Sequence, residues 1–450
     1  MNSNLSYMLS RVSAVSTQTF KLEPQNSNTA SAGQQIRVAL PSNTLLNLKS
    51  IKMLASAACG GSGARLPAKI TSLIDRVSLE AGGVTIDGSA MQQYGLLCHA
   101  KASLEGEKSN PGSHPEMVRA KSYHTNAAAL TGTQVEAVSA ADESFCFDFN
   151  HTFLGTCLPS VIDTSLLPDM VIVIQLHGNE VLSSVSGVSM AQFIVDGTQV
   201  PTFALSHIRF TCEAVALGSG VYDQLVARKL ADSGILELPF KQYSTVIDTH
   251  SGSSRFHISC QSLDRIWATF RQAGYDSKGA PVAVNGHIES GGFIAATSAG
   301  SPTVQIGISG YDTGSVLGSG EEKYLGKYHD MYFGAANVTA QFQLNGSLTP
   351  GFSANTPEWL ELSRNAVERN GGEIPVKTLD QYKSNYSVIC HRLTLPGSTV
   401  REIAGVDTRG INLSGSINTT NVPANTNVVL FLEHTSVLQI GVNKQFSVVN

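Results

Sequence analysis

Cys390 and His391 are neighbours in the chain, a thiol beside an imidazole, the two groups a nucleophilic dyad needs. They fall in Val388-Ile-Cys-His-Arg392, a run with strand character, where successive side chains point to opposite faces. A dyad between them is therefore disfavoured, and two structural residues are expected. The acidic pairs Asp142-Glu143 and Glu321-Glu322 are of the type that flanks a glycosidic bond in sugar-cleaving enzymes. Both sit in polar, turn-like sequence without the apolar surroundings that raise a carboxyl pKa, so solvated loops are expected. Gly60-Gly-Ser-Gly63 is glycine-rich, but no Lys-Ser/Thr follows it, and a turn is preferred to a phosphate cradle. Trp267 and Trp359 could form a sugar platform; their apolar neighbours favour core or interface packing. Neither a Gly-x-Ser-x-Gly elbow nor a His-Glu-x-x-His helix occurs. Asp407-Thr-Arg-Gly410 is the one charged cluster of note. It could fix a long loop through an Arg–carboxylate pair, touch a neighbouring molecule, or form a turn capped by Asp and Thr, and these stay open. The expectation is no catalytic residue, no metal ligand and no cofactor.

Composition agrees with a non-catalytic surface. In 450 residues, charged side chains make up 14%, well below the roughly 25% of average globular proteins, and there are 41 glycines. Many short strands joined by turns fit that pattern, and a weakly charged surface favours association. The net charge is −5 with no Lys/Arg cluster, which argues against sequence-specific nucleic-acid binding, since a groove for phosphates needs concentrated positive charge. The seven cysteines (59, 98, 146, 157, 212, 260, 390) are scattered and never form Cys-x-x-Cys, so buried, reduced thiols are expected. No export signal or membrane-length apolar run is read, which points to assembly inside a cell. The Asn-x-Ser/Thr triplets at Asn150, Asn337, Asn345, Asn385, Asn412 and Asn418 are then chance occurrences.

The elements that must carry these residues are mainly strands. Ile36, Val38 and Leu40 alternate with Gln35 and Arg37; Phe145, Phe147 and Phe149 with Cys146, Asp148 and Asn150; Ile208, Phe210, Cys212 and Ala214 with His207, Arg209, Thr211 and Glu213. The closing run reads as one strand, with Leu438, Ile440, Val442, Phe446 and Val448 on its apolar side and Lys444 breaking it. Helices are few. Thr356 is expected to cap one, with Pro357 at its first position, Leu360 and Val367 inside and Gly371 beyond its end. Another runs from Ser89 to Leu104, with Tyr94, Leu97 and Leu104 on one side. A third is expected over Val221–Leu230, and Leu5, Leu9, Val12 and Val15 suggest an N-terminal helical arm.

Two internal echoes point to duplication. Val77–Gly88 and Phe342–Gly351 each precede a helical stretch. Asp163-Thr-Ser-Leu-Leu precedes Met170–Leu176, as Asp407-Thr-Arg-Gly-Ile precedes Val428–Leu432. The expected division is 1–220, a linker helix over 221–234, and 235–450, with an insertion at about 272–333 projecting from one end of the second unit. Val304, Ile306 and Ile308 alternate within that insertion and predict strands.

Ser262-Leu-Asp-Arg-Ile-Trp-Ala-Thr-Phe-Arg271, Phe342-Gln-Leu-Asn-Gly346, Ile403–Gly410, Leu430–Ile440 and the connector Gly218–Pro239 resemble the double jelly-roll major capsid proteins of icosahedral double-stranded DNA viruses, in particular those of polinton-like viruses and virophages. The resemblance implies an all-β chain of two consecutive eight-stranded jelly-roll sandwiches with a few short helices in loops. It implies a homotrimer that tiles a virion shell, with penton and minor capsid proteins as further partners, and the insertion as part of an outward tower. The alternatives from other classes are a carbohydrate- or receptor-binding sandwich of a virion (a spike or minor capsid component) and a glycoside-cleaving enzyme.

Overall fold

Alternation of apolar and polar side chains sets each strand, because a pleated strand turns successive residues to opposite faces. The computed structural model describes residues 15–60, 64–65, 70–105, 143–181, 183–184, 202–217, 226, 230–231, 234–272, 293–298, 301–306, 338–367, 379, 382, 387–395, 400, 403–409, 413–422 and 426–450. Sixteen principal strands follow in chain order. The first eight are β1 (Val15–Leu22), β2 (Gln35–Ala39), β3 (Leu45–Gly60), β4 (Ile74–Ala81), β5 (Val84–Asp87), β6 (Glu143–Asp148), β7 (Met170–Leu176) and β8 (Thr202–Leu217). The second eight are β9 (Ile235–His250), β10 (Ser253–Ile258), β11 (Leu263–Gln272), β12 (Thr339–Leu344), β13 (Ser347–Asn355), β14 (Val388–Arg392), β15 (Leu413–Thr420) and β16 (Thr426–Gly441).

The sheets repeat. The first half forms β1-β8-β3-β6 and β2-β7-β4-β5; the second forms β9-β16-β11-β14 and β10-β15-β12-β13. Adding eight to each label of the first pair gives the second pair, with every pairing antiparallel. This is an all-β, double jelly-roll arrangement. Short strands extend it: Ala30–Ser31 on β8, Val161–Asp163 on β3 and Phe446–Val449 on β16. Within 272–333 the described elements are one hairpin, Phe293–Ser298 with Ser301–Ile306, which holds the expected strand at Val304 and Ile306.

The first echo marks equivalent hairpins. The β4–β5 turn places Gly82 and Gly83 at φ 54° and 85°, and the β12–β13 turn places Asn345 and Gly346 at 48° and 86°. Two successive positive-φ residues match strand twist in a tight hairpin, which is why Gly or Asn stands there. A helix follows each turn: α1 (Tyr94–Glu105) and α3 (Thr356–Ala366), with the short α2 (Phe153–Thr156) between them in the chain. The second echo pairs unlike strands. Val428–Leu432 lies in β16, whereas the counterpart of β7 is β15.

The expected strand faces hold. Ile36, Val38, Phe145, Phe147, Ile208, Phe210 and Cys212 are all buried. One packed cluster joins first-half residues such as Phe153 and Phe210 to second-half residues such as Phe240, Trp267 and Phe431. A second cluster fills the other sandwich around Phe256, Phe342, Trp359 and Ile417.

Several expectations need correction. The closing run is a hairpin, because Asn443 and Lys444 take φ 62° and 58° and fold Phe446–Val449 back onto β16, with Leu438 opposite Val448. The cap of α3 is Asn355, whose side chain accepts from Glu358 N while Glu358 accepts from Asn355 N; Thr356 instead donates to Val338 O at 3.2 Å. That helix ends at Ala366, well before Gly371. Helix α1 starts at Tyr94 rather than Ser89, because Gln93 sits at φ 58° and Gln92 is held by Thr245. Val15 opens a strand. The rest of the proposed arm, the body of the Val221–Leu230 helix, and Ile308 lie outside the described residues.

Candidate functional site

The most concentrated buried polar chemistry lies where the two halves meet. Strand β9 is an outer strand of its sheet, and an outer strand carries unpaired backbone groups that invite stray pairing. The first half covers it. Leu158 N donates to Pro239 O at 3.1 Å, and Thr245 N donates to Ala90 O at 3.0 Å. Lys241 N donates to Thr156 Oγ1 at 3.1 Å, and Gln92 N to Thr245 Oγ1 at 3.1 Å. Phe153 of α2 meets Phe240 edge to face, 4.9 Å between ring centres.

A buried charge network sits in this seam. Glu433 on β16 accepts from Arg265 Nη1 through Oε1 and from Trp267 Nε1 through Oε2, both at 2.9 Å. Lys101, from α1 of the first half, lies 3.7 Å from Glu433 Oε2 and donates to the Tyr243 hydroxyl at 2.9 Å. Its ammonium also stands 5.3 Å from the Tyr243 and Trp267 ring centres, within cation–π reach. Burial works to raise the Glu433 pKa, but the charges of Lys101, Arg265 and Lys241 and the Trp267 hydrogen bond outweigh it and hold the carboxylate ionised. Beside it, Asp264 accepts from Lys241 Nζ at 2.6 Å, from Thr435 Oγ1 at 2.7 Å and from Ser262 Oγ at 2.7 Å. His434 is held neutral chiefly by burial, with Gln242 Oε1 3.3 Å from its Nε2. Such an arrangement compensates both carboxylates with three cations; it fixes geometry.

The residues singled out by chemistry are dispersed. Cys390 is fully buried opposite Trp267, while His391 faces the other way, 2.8 Å from Thr349 Oγ1 and stacked 5.6 Å from Phe342. Burial lowers the His391 pKa to about 4. Trp267 and Trp359 are both core residues, the latter donating to Ala340 O at 2.9 Å. Glu143 opens β6 rather than a loop, opposite Ala57. Asp142, Glu321-Glu322 and Gly61–Gly63 lie outside the described residues, and Gly60 ends β3.

Asp407 binds Arg409 three times, accepting from its N at 3.0 Å, Nε at 3.1 Å and Nη2 at 2.7 Å, so the cluster is at once a capped turn and an ion pair. Thr408 between them is buried and anchors the turn to Cys260, whose N donates to Thr408 Oγ1 at 2.8 Å. The side-chain and backbone hydrogen bonds from Arg409 lower the Asp407 pKa to about 2. Six cysteines (98, 146, 157, 212, 260, 390) are free thiols, and burial pushes Cys157 up to about 12. Among the described residues, no group of three or more His, Cys, Asp or Glu is placed to hold a metal, and no helix is long and apolar enough to cross a membrane.

The Lys101–Glu433 pair is absent from the sequence expectations. Its signals are a lysine spaced four and three residues from Leu97 and Leu104, and a glutamate interrupting Leu430-Phe-Leu-Glu-His434.

No family model and no curated protein matches the chain. Solved structures do. A quasi-atomic model of the PBCV-1 virus capsid aligns over 100% of both chains with TM-score 0.60 at 12% identity. PBCV-1 VP54, fitted into a reconstruction of the virophage Sputnik, aligns over 100% of both with TM-score 0.61 at 13% identity. The Faustovirus major capsid protein aligns over 97% of this chain and 92% of its own with TM-score 0.54 at 10% identity. With the strand order repeated in both halves, these similarities show that the chain has the double jelly-roll fold of viral major capsid proteins.

Proposed function

We propose that this chain is the major structural protein of an icosahedral virus shell, self-associating into pseudo-hexagonal homotrimers that tile the capsid. The observation that carries the proposal is the doubled β1-β8-β3-β6 and β2-β7-β4-β5 order among the described residues, in a chain whose fold aligns with the PBCV-1 and Faustovirus structures along nearly its full length. Three copies of a two-sandwich chain supply six similar blocks about one three-fold axis, a shape that packs a flat lattice with a single repeated contact. In this proposal 1–220 and 235–450 are the two jelly rolls, 221–234 links them, and 272–333 projects outward. The protein acts without catalysis or cofactor, in the virion, beside penton and minor capsid proteins. The buried tryptophans give no support to a sugar-binding platform.

Sedimentation of the purified chain with electron microscopy tests this. Trimers with a pseudo-hexagonal outline are expected, and a stable monomer at micromolar concentration would overturn the proposal.

A further inference from the structure

The sheet β10-β15-β12-β13 has an unusual outer face. Its strands read SSRFHI, LSGSINTT, TAQFQL and SLTPGFSAN, without Asp, Glu or Lys, and Arg255 is their one full charge. Register places Arg255 opposite Ser416, Ser416 opposite Gln343, and Gln343 opposite Leu348, so one row crosses all four strands. Phe256, Ile417 and Phe342 turn the other way into the core. A shallow depression of about 490 Å³ is lined by Arg255, Ser416 and Gln343 of this row together with Ser253, Asn345 and Asn418, and Leu348 lies outside it.

The first half solves the same position differently. Arg37 is the third residue of β2, as Arg255 is of β10, and it pairs with Glu80 of its own sheet at 2.7 Å. Its sheet also carries Asp75, Arg76 and Asp87. Where Arg37 has a carboxylate across the sheet, Arg255 faces, among the described residues, the hydroxyl of Ser416 and the amides of Gln343 and Asn418. The edge strand β13 adds exposed apolar side chains, Leu348 and Phe352, each 52% exposed. Arginine and aromatic side chains are enriched at protein–protein contacts and Lys, Glu and Asp depleted, as on this face; its serines are not part of that signature.

We infer that this face is a contact surface for a second copy of the same chain, with a carboxylate of that copy seated against Arg255 and its apolar atoms against Leu348 and Phe352. An identical neighbour fits by charge: the chain carries 35 acidic against 30 basic residues, and the first-half Asp169 is exposed without an ion pair to a described residue. This rests on the self-association proposed above.

Arg255→Glu and Leu348→Glu, each in the full chain, test the surface by sedimentation across a concentration series, with thermal unfolding as the control. Both variants should melt as the wild type does, since both side chains are exposed, while self-association weakens about tenfold or more. If the wild type assembles and both folded variants assemble equally well, this surface is overturned while the self-assembly proposal stands. A monomeric wild type overturns both.

Discussion

The ammonium of Lys101 lies 3.7 Å from the carboxylate of Glu433, joining a helix of the first jelly roll to the central strand β16 of the second. Both side chains are almost wholly withdrawn from water; Lys101 depends on the second half for compensation, while Glu433 also has Arg265 and Trp267 of its own half. A buried charge stripped of its partners costs about 3–5 kcal/mol. Glu433→Leu strands Arg265 and Lys101 together and should lose stability of that order in urea unfolding. Lys101→Met should cost less, because Arg265 and Trp267 still hold the carboxylate. The double variant should be less destabilised than the sum of the two, which a mutant cycle measures.

His391 makes stability fall in acid. Burial lowers its pKa to about 4 from the ordinary 6.5, so between these values the unfolded chain binds a proton that the folded chain refuses. Its contribution is complete above about pH 6.5 and is lost as pH falls toward 4, a change on the order of 2–3 kcal/mol. His391→Gln, which keeps a polar group near Thr349, should flatten this part of the stability profile. An unchanged slope would exclude His391 as its source.

Asp87 gives the opposite slope. Burial raises its pKa to about 7, against the lowering effect of hydrogen bonds from Phe153 N and Gly88. The folded state therefore keeps its proton between about 4 and 7, and stability falls as pH rises through that range, by on the order of 4 kcal/mol. Asp87→Asn retains an acceptor for Phe153 N, 2.6 Å away in the native chain. The variant should be more stable than the wild type at pH 8 and near it at pH 4, as thermal melts at the two pH values would show.

Gly415 of β15 lies under the Phe256 ring, and a methyl group there would meet that ring directly. Phe256 is buried in the second core and has no room to retreat. Gly415→Ala should cost about 1–3 kcal/mol by overpacking. Gly346→Ala has open space and pays only for its positive φ of 86°. Comparing the two melting points separates crowding from backbone strain.

Alternating residues such as Ile36/Val38 and Phe145/Phe147 already specified strands and their inner faces, because a period of two is a local property of the chain. The turns at Gly82-Gly83 and Asn345-Gly346 lie inside the first echo and are local too, since few residues other than Gly and Asn accept positive φ. The echo between Val77–Gly88 and Phe342–Gly351 made the duplication readable, and strand alternation gave the opposed pointing of Cys390 and His391. Strand partners were not local. The fold-back at Asn443-Lys444 and the mismatch between Val428–Leu432 and Met170–Leu176 depend on which strand lies alongside, and periodicity is blind to that.

The same holds for the seam. Lys101, Glu433 and Arg265 each look like an ordinary charge in an apolar stretch, and only the packing of α1 against β11 and β16 shows that both cations meet the one carboxylate. Thr245 and Ala90 likewise meet because an exposed strand edge needs hydrogen-bond partners, and the first half supplied them. Sequence determined the strands, the turns and the repeat, all set by sterics within a few residues. Tertiary structure decided which edges are covered and which charges are paired, because desolvation and hydrogen bonding act between segments far apart in the chain.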